Sequence, residues 1–509
     1  MTSPFFRHAL CQGRVWATVA ASAFVVACGG GGSSGQAVLQ PIAAASPEQP
    51  VTPVGPPATV TPSPPITPTD PPLDSPVAAR DCEAAPRHES PEPGSAAWKE
   101  RDADNLACAS ERIADFAEHP AALFKPGKTP AIDAYRVPAL HADVRFRFLE
   151  TTAPSRGSKA IAIELYRPCD AASCPLMPAT LARADGPYPA VVVVHGGGSS
   201  KRLHRSATQS LAEAGYMTIA LDTTSPVGTH GPDTQDVIDW LFSTPTAPRP
   251  DGSYFPWWAS LDIRMVGIAG HSQGASTASL IGQTDPRLSA IVAWDNLTAL
   301  RTGWVDKIGI DPPADLILRT PALGFGADYN FVPEALHLPP EPAASNTQGG
   351  RGRGAGPHPK DPGYQELRAA GIDTMLIVPR AATHLDYSLF GGPATRLGES
   401  VINYYTLAWF DRYLKGAHDP ALAQDAFLRL TATTFSDAAD RHNISQGRYS
   451  AAAADAAGSV MAGNQPYRIA GLPVRDRLSF YFKSRCHLGA PDGTRMASED
   501  VRAQGCAAP

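Results

Sequence analysis

Met265-Val266-Gly267-Ile268-Ala269-Gly270-His271-Ser272-Gln273-Gly274 is the stretch that decides the fold. An apolar, β-prone run ends abruptly in Gly-His-Ser-Gln-Gly, and small residues follow at helical spacing (Ala275, Ser276, Ala278, Ser279). The pattern reads as strand, tight turn, helix, with Ser272 at the apex. Gly-x-Ser-x-Gly in that context holds a serine in a strained backbone and lifts its hydroxyl above the end of a sheet, while the two glycines leave room for the crossing of strand and helix. Ser272 is therefore the candidate nucleophile.

Working outward, the flanking elements supply the sheet. Val144–Leu149 and Ala160–Tyr166 alternate polar and apolar residues around Gly157, the pattern of an antiparallel hairpin. Pro189–Val194 is a continuous apolar run, as a strand buried on both faces requires. Tyr216–Leu221, Met265–Ala269, Ala290–Ala293, Ala322–Phe325 and Thr374–Val378 complete the series, with helical patterns at 206–214 and 233–242 between them. Strands alternating with helices predict an α/β fold around a mostly parallel eight-stranded sheet with helices on both faces. The Ser272 elbow then follows the fifth strand. A helix is expected over 97–117, in an N-terminal extension spanning 81–143.

The termini read differently. Arg7 and Arg14 precede an apolar run, Val15–Val26, shorter than the ~20 residues that span a bilayer as a helix. Val25-Val26-Ala27-Cys28 and the following Gly29–Gly32 resemble a bacterial lipoprotein signal. That resemblance implies cleavage after residue 27, a lipid on Cys28, and an exported chain held to the cell envelope, with an outer-membrane address from the absence of Asp at position 29. Residues 28–80 run from Gly/Ser to Pro/Thr-rich sequence and read as a polyproline-like tether. Removing Arg7 and Arg14 with the leader takes the formal charge from −6 to −8, which argues against nucleic-acid binding despite the Gly349-Gly-Arg-Gly-Arg-Gly354 run. Of eight cysteines, Cys11 lies in the leader. An exported chain favours disulfides over metal binding, and proximity pairs Cys82 with Cys108, Cys169 with Cys174 and Cys486 with Cys506. No metal or organic cofactor is expected.

Residues 144–415 resemble an α/β-hydrolase, most closely the dienelactone-hydrolase, cutinase and PET-hydrolase branch. The resemblance rests on Val191-Val-Val-Val-His-Gly-Gly-Gly198, Thr218–Thr223, the Gly267–Gly274 elbow, Trp294-Asp295, Gly326-Ala-Asp328 and Ala382-Thr-His384. It implies a serine esterase that works through an acyl-enzyme, with the family order nucleophile, acid, histidine. Ser272, Asp328 and His384 obey that order, with His384 as general base. Asp295, after the sixth strand, is the rival acid. In the family's usual register one more residue separates glycine from acid; that would put Tyr329 at the acid position, and a tyrosine cannot serve there. The resemblance also implies an oxyanion hole from the Gln273 N–H and the Gly197 N–H, with Gly196 the alternative to Gly197. Trp294, Tyr329 and Trp258 are expected against an ester substrate. A Pro/Gly/Arg-rich insertion at 331–363 is expected at the active-site rim, and 416–509 is expected to form an accessory region closed by Cys486–Cys506. A peptidase or amidase, or a binding protein on the same scaffold, are the alternatives to an esterase.

Overall fold

The computed structural model describes residues 85–118, 145–169, 187–226, 228–301, 308–338, 361–388, 396–436 and 469–507. The leader, Cys28 and the tether lie outside them, as do Cys82, Cys174 and most of the 331–363 insertion. Among the described residues no helix is long and apolar enough to cross a membrane.

The strands are β1 (Arg145–Ala153), β2 (Ile161–Cys169), β3 (Tyr188–Val194), β4 (Met217–Leu221), β5 (Leu261–His271), β6 (Ala290–Trp294), β7 (Ala322–Phe325), β8 (Thr374–Ile377), β9 (Arg485–Gly489) and β10 (Arg495–Ser498). The helices are α1 (Ala96–Glu118), α2 (Arg205–Glu213), α3 (His230–Leu241), α4 (Gln273–Thr284), α5 (Pro362–Ala369), α6 (Arg396–Tyr413), α7 (Pro420–Thr431) and a short α8 (Val501–Gln504). The fold is α/β. The described strands make one mixed, mostly parallel ten-stranded sheet in the order β1-β2-β4-β3-β5-β6-β7-β8-β9-β10. β1 and β2 form the expected hairpin, and β3 to β8 run parallel.

Strand alternation explains the two cores. In β3, Val191 and Val193 join one apolar cluster with α2, α6 and α7 residues such as Leu211, Trp409 and Phe427. Val192 and Val194 join the other, with α3 and α4 residues such as Ile238, Ala278 and Ile281. Successive side chains point to opposite faces of a sheet, so a strand covered by helices on both sides must be apolar throughout; β3 is buried along its whole length.

Two expectations are corrected. Among the described residues the sheet has ten strands, not eight, and those after 415 join this sheet and its core. β9 pairs antiparallel with β8, β10 with β9, and Ile469, Val474, Leu478, Leu488 and Val501 enter the same core as α6. Without them β8 would be an open edge, with unpaired backbone groups beside a buried face. The Cys486–Cys506 disulfide ties β9 to the end of α8, with a Cα–Cα distance of 6.0 Å. Cys108 is also disulfide-bonded. Its expected partner Cys82, and Cys174 of the expected pair Cys169–Cys174, fall on residues outside those described.

Candidate active site

β3 to β8 all present their carboxyl ends at one edge of the sheet, and the loops there carry the chemistry. Ser272 sits between β5 and α4 with φ 56° and ψ −118°, a left-handed conformation that few non-glycine residues adopt. The flanking glycines show what permits it. A Cβ on Gly270 would lie 2.0 Å from Gly274 O, and one on Gly274 would lie 2.1 Å from Val194 O. Any side chain at either place would collide with backbone that cannot yield. The Ser272 N–H donates to Trp294 O at 3.1 Å, which fastens the elbow to β6.

His384 follows β8 through Pro379–Thr383 and opens a 3-10 turn, His384–Tyr387. That turn starts in a capping box. The Asp386 carboxylate accepts from Thr383 N at 2.5 Å and from Thr383 Oγ1 at 2.8 Å, and Leu385 N donates to Thr383 Oγ1. The His384 N–H donates to Asn330 O at 2.8 Å, and the Tyr329 N–H to Ala382 O at 3.0 Å, so the loops after β7 and β8 run side by side. The imidazole is thereby aimed at Ser272, with Nε2 3.0 Å from Oγ. On its other edge Nδ1 lies 2.7 Å from Asp295 Oδ2. Asp295 comes directly after β6 and has φ 37°.

The structure thus brings Ser272 and His384 together with Asp295 and leaves Asp328 out, correcting the expected acid. Asp328 is buried and otherwise engaged. Its carboxylate accepts from Asn105 Nδ2 at 3.1 Å, from Ala381 N at 2.6 Å and from the Ser479 hydroxyl. Those donors come from α1, the β8 loop and the segment leading to β9. In that place Asp328 braces the loop that carries His384 and does not touch the imidazole's Nδ1.

Two further histidines shape the site from beneath. The His271 ring lies 4.7 Å from that of His384, and its Nε2 is 2.8 Å from His384 O. A carbonyl only accepts, so His271 carries its proton on Nε2. Burial holds His271 well below the usual imidazole range, and the neighbouring His384 and His204 push the same way. It stays neutral and fixes the His384 backbone. His195 Nε2 accepts from Thr223 N at 3.0 Å, which places its proton on Nδ1, 2.6 Å from Gly196 O. Burial lowers His195 as well. Gly196 O also accepts from Ser199 N at 3.1 Å. In a trans peptide N–H and C=O point in opposite directions. Anchoring Gly196 O therefore turns the Gly197 N–H away from His195. Gly196 packs on the elbow, since a Cβ there would lie 3.0 Å from Ser272 Cβ. At the far end of the glycine loop, Lys201 N and Nζ both donate to the Asp222 carboxylate at 2.7 Å. Gln273 opens α4, and the first N–H groups of a helix have no partner within it. Gln273 and Gly197 remain the candidate pair for an oxyanion.

The expected substrate contacts are not met. Trp294 is only 1% exposed; its Nε1 donates to Thr406 Oγ1 at 3.2 Å and its ring stacks on His204. Tyr329 is also buried, and its hydroxyl accepts from Asn105 Nδ2 at 2.9 Å. Trp258 is exposed, but it precedes the start of β5 while Ser272 follows its end, so the whole strand separates them. Proximity to a motif in sequence fixes neither burial, which removes Trp294 and Tyr329, nor the strand end, which removes Trp258. Phe331, absent from the expected contacts, lies beside His384 with ring centroids 5.0 Å apart and planes 72° apart. Its only signal was its place just beyond Tyr329-Asn330, at the start of the insertion.

Among the described residues no group of three or more His, Cys, Asp or Glu could hold a metal ion. Neither a family model nor a curated protein sequence matches this chain. Chemically, the arrangement is a hydroxyl on a strained elbow, an imidazole within reach of its proton, and a carboxylate on the imidazole's far nitrogen. An arrangement of this kind can make a serine nucleophilic at neutral pH.

Proposed function

We propose that the protein is an exported, lipid-anchored serine hydrolase with an α/β-hydrolase fold that cleaves carboxylic esters through an acyl-enzyme. The observation that carries this is the continuous chain from Ser272 Oγ to His384 Nε2 (3.0 Å) and from His384 Nδ1 to Asp295 Oδ2 (2.7 Å), set on a left-handed serine. The strand order β1-β2-β4-β3-β5-β6-β7-β8 and the placement of Ser272 after β5 support the fold reading. The disulfides support an oxidising compartment, and the Val25–Cys28 signal supports the anchor.

In the reaction, Ser272 Oγ attacks the ester carbonyl carbon as His384 Nε2 takes the hydroxyl proton. The carbonyl oxygen becomes an oxyanion, held by the Gln273 and Gly197 N–H groups. The carbon–oxygen bond to the alcohol then breaks, and His384 returns the proton to the leaving oxygen. Water repeats the sequence on the acyl-enzyme, with His384 again accepting and returning a proton, and releases the acid. Asp295 holds the Nδ1–H tautomer and stabilises the imidazolium without itself taking a proton.

A fluorophosphonate probe should label the wild-type protein and leave Ser272→Ala unlabelled, and hydrolysis of short p-nitrophenyl esters should vanish with the same substitution. Equal labelling of both proteins overturns the reading.

A further inference from the structure

The reading above leaves open which part of an ester the protein recognises, and the surroundings of His384 bear on that. The His384 ring has buried His271 at 4.7 Å and Phe331 at 5.0 Å between centroids, the Phe331 and His384 planes being 72° apart. Phe331 is 57% exposed and Val332 beside it 58%. A large apolar side chain left in water beside an imidazole, with a second exposed one next to it in the chain, is unlike scattered surface apolar residues, which need no explanation. Nor are they on a loosely held loop. On one side, His384 N–H to Asn330 O fixes the backbone just before Phe331. On the other, Leu336 N and His337 N donate to the buried Asp102 carboxylate of α1 at 3.0 and 3.3 Å. The apolar pair is a wall held at both ends.

Reaction geometry says which half of the substrate that wall meets. His384 Nε2 must hand its proton to the leaving oxygen, so that oxygen comes within hydrogen-bonding distance of Nε2. The carbonyl oxygen lies on the opposite side, toward Gln273 and Gly197. The carbon attached to the leaving oxygen then continues toward solvent past the imidazole, where exposed Phe331 stands with Val332 next to it in the chain. Resting on the serine-hydrolase reading, we propose that Phe331, with Val332, is the specificity wall for the leaving alcohol, and that the protein prefers esters of aromatic or bulky apolar alcohols.

The test uses the full-length protein and two ester series. One keeps the acyl group as butyrate and varies the alcohol through methyl, butyl, cyclohexyl and benzyl. The other keeps methyl alcohol and varies the acyl chain from acetate to octanoate. In the wild type kcat/KM should rise from methyl to benzyl butyrate. Phe331→Ala should lower the benzyl-to-methyl ratio of kcat/KM about tenfold, the size of one lost aromatic contact in a binding site. Its octanoate-to-acetate ratio should stay within about twofold of wild type, and Phe331→Tyr should restore most of the benzyl preference. Because these are ratios within one protein, a partly unfolded variant does not distort them. A shift in the acyl series with the alcohol series unmoved overturns the assignment, as does no shift in either. If instead the wild type cleaves no ester and its Ser272 takes no fluorophosphonate, the hydrolase reading has failed and the wall falls with it. Labelled Ser272 with an unmoved alcohol ratio refutes the wall alone.

Discussion

Two aspartates close neighbouring parallel strands and meet opposite fates. Asp295 leaves β6 and places its carboxylate 2.7 Å from His384 Nδ1; Asp328 leaves β7 after Gly326-Ala327 and turns inward to Asn105, Ala381 and Ser479. Both are buried carboxylates at the edge of the sheet where Ser272 and His384 lie. The difference is in what each one's partners do. Asp295 meets the side chain that the proposed reaction uses to move a proton, whereas Asp328 accepts from groups that hold loops in place. A carboxylate at a strand end is therefore not a catalytic acid by position. Its role follows from which donors reach it first.

Substitution should separate the two roles. The largest effect is expected for Asp295→Asn. It keeps the shape but allows the wrong imidazole tautomer, and kcat should fall by about 10⁴-fold with thermal stability little changed. Steady-state ester hydrolysis beside a melting curve would measure both. Asp328→Ala should do the reverse. Removing a buried acceptor strands three donors, and stability should drop by about 3 kcal/mol in denaturant unfolding, while kcat of the folded protein falls less than about tenfold. A collapse of kcat for Asp328→Ala at unchanged stability, with Asp295→Asn still active, would exchange the two assignments.

A smaller effect tests the brace beneath the histidine. His271→Ala removes the Nε2–H donor to His384 O, and kcat should fall about tenfold, the loss expected of one buried hydrogen bond. His271→Gln, whose amide can donate, should recover part of it. KM should move less than kcat, since His271 lies behind the triad and not along the substrate's path.

The smallest effect concerns pH. Burial lowers His204 to about 3 and His230 to about 4. Both lie below the unfolded value of about 6.5, so each takes up a proton on unfolding when the pH is between its folded value and 6.5. Their contribution to stability is complete above about pH 6.5 and is lost as the pH falls toward 4 and then 3. Melting temperatures measured from pH 8 to pH 4 should be flat down to about 6.5 and then decline. In His204→Phe the decline should be shallower.

Much of the sheet was legible because burial on two faces demands a composition that chance rarely supplies. Val191–Val194 could hardly be anything but a central strand, and the strands at 290, 322 and 374 begin where their apolar runs begin. Ser272 was legible for a steric reason, since the elbow excludes a Cβ at Gly270 and Gly274 and so writes itself into the chain as two glycines. His384 followed from its short distance beyond a strand end. Which aromatic residue lies beside the imidazole was not legible. Trp294 and Phe331 are both aromatic and both next to a site motif, yet one is 1% exposed in the core and the other 57% exposed beside the imidazole. In the C-terminal region the apolar residues of Thr431–Phe435 and Leu478–Phe482 suggest strands, yet those stretches carry only isolated bridges, and the strands are Arg485–Gly489 and Arg495–Ser498, which are only partly buried and lack a continuous apolar run.

The chain by itself determined an α/β sheet, the serine at its fifth strand and the histidine after its eighth, because local sterics and strand burial are properties of short segments. The choice between Asp295 and Asp328 belonged to the tertiary structure. Asn105 and Ser479, far from Asp328 in sequence, supply the donors that hold it, and His384 crosses from β8 back to Ser272 beside β6. A hydrogen bond is settled by distances of a few tenths of an ångström, and those distances exist only once segments remote in sequence have packed.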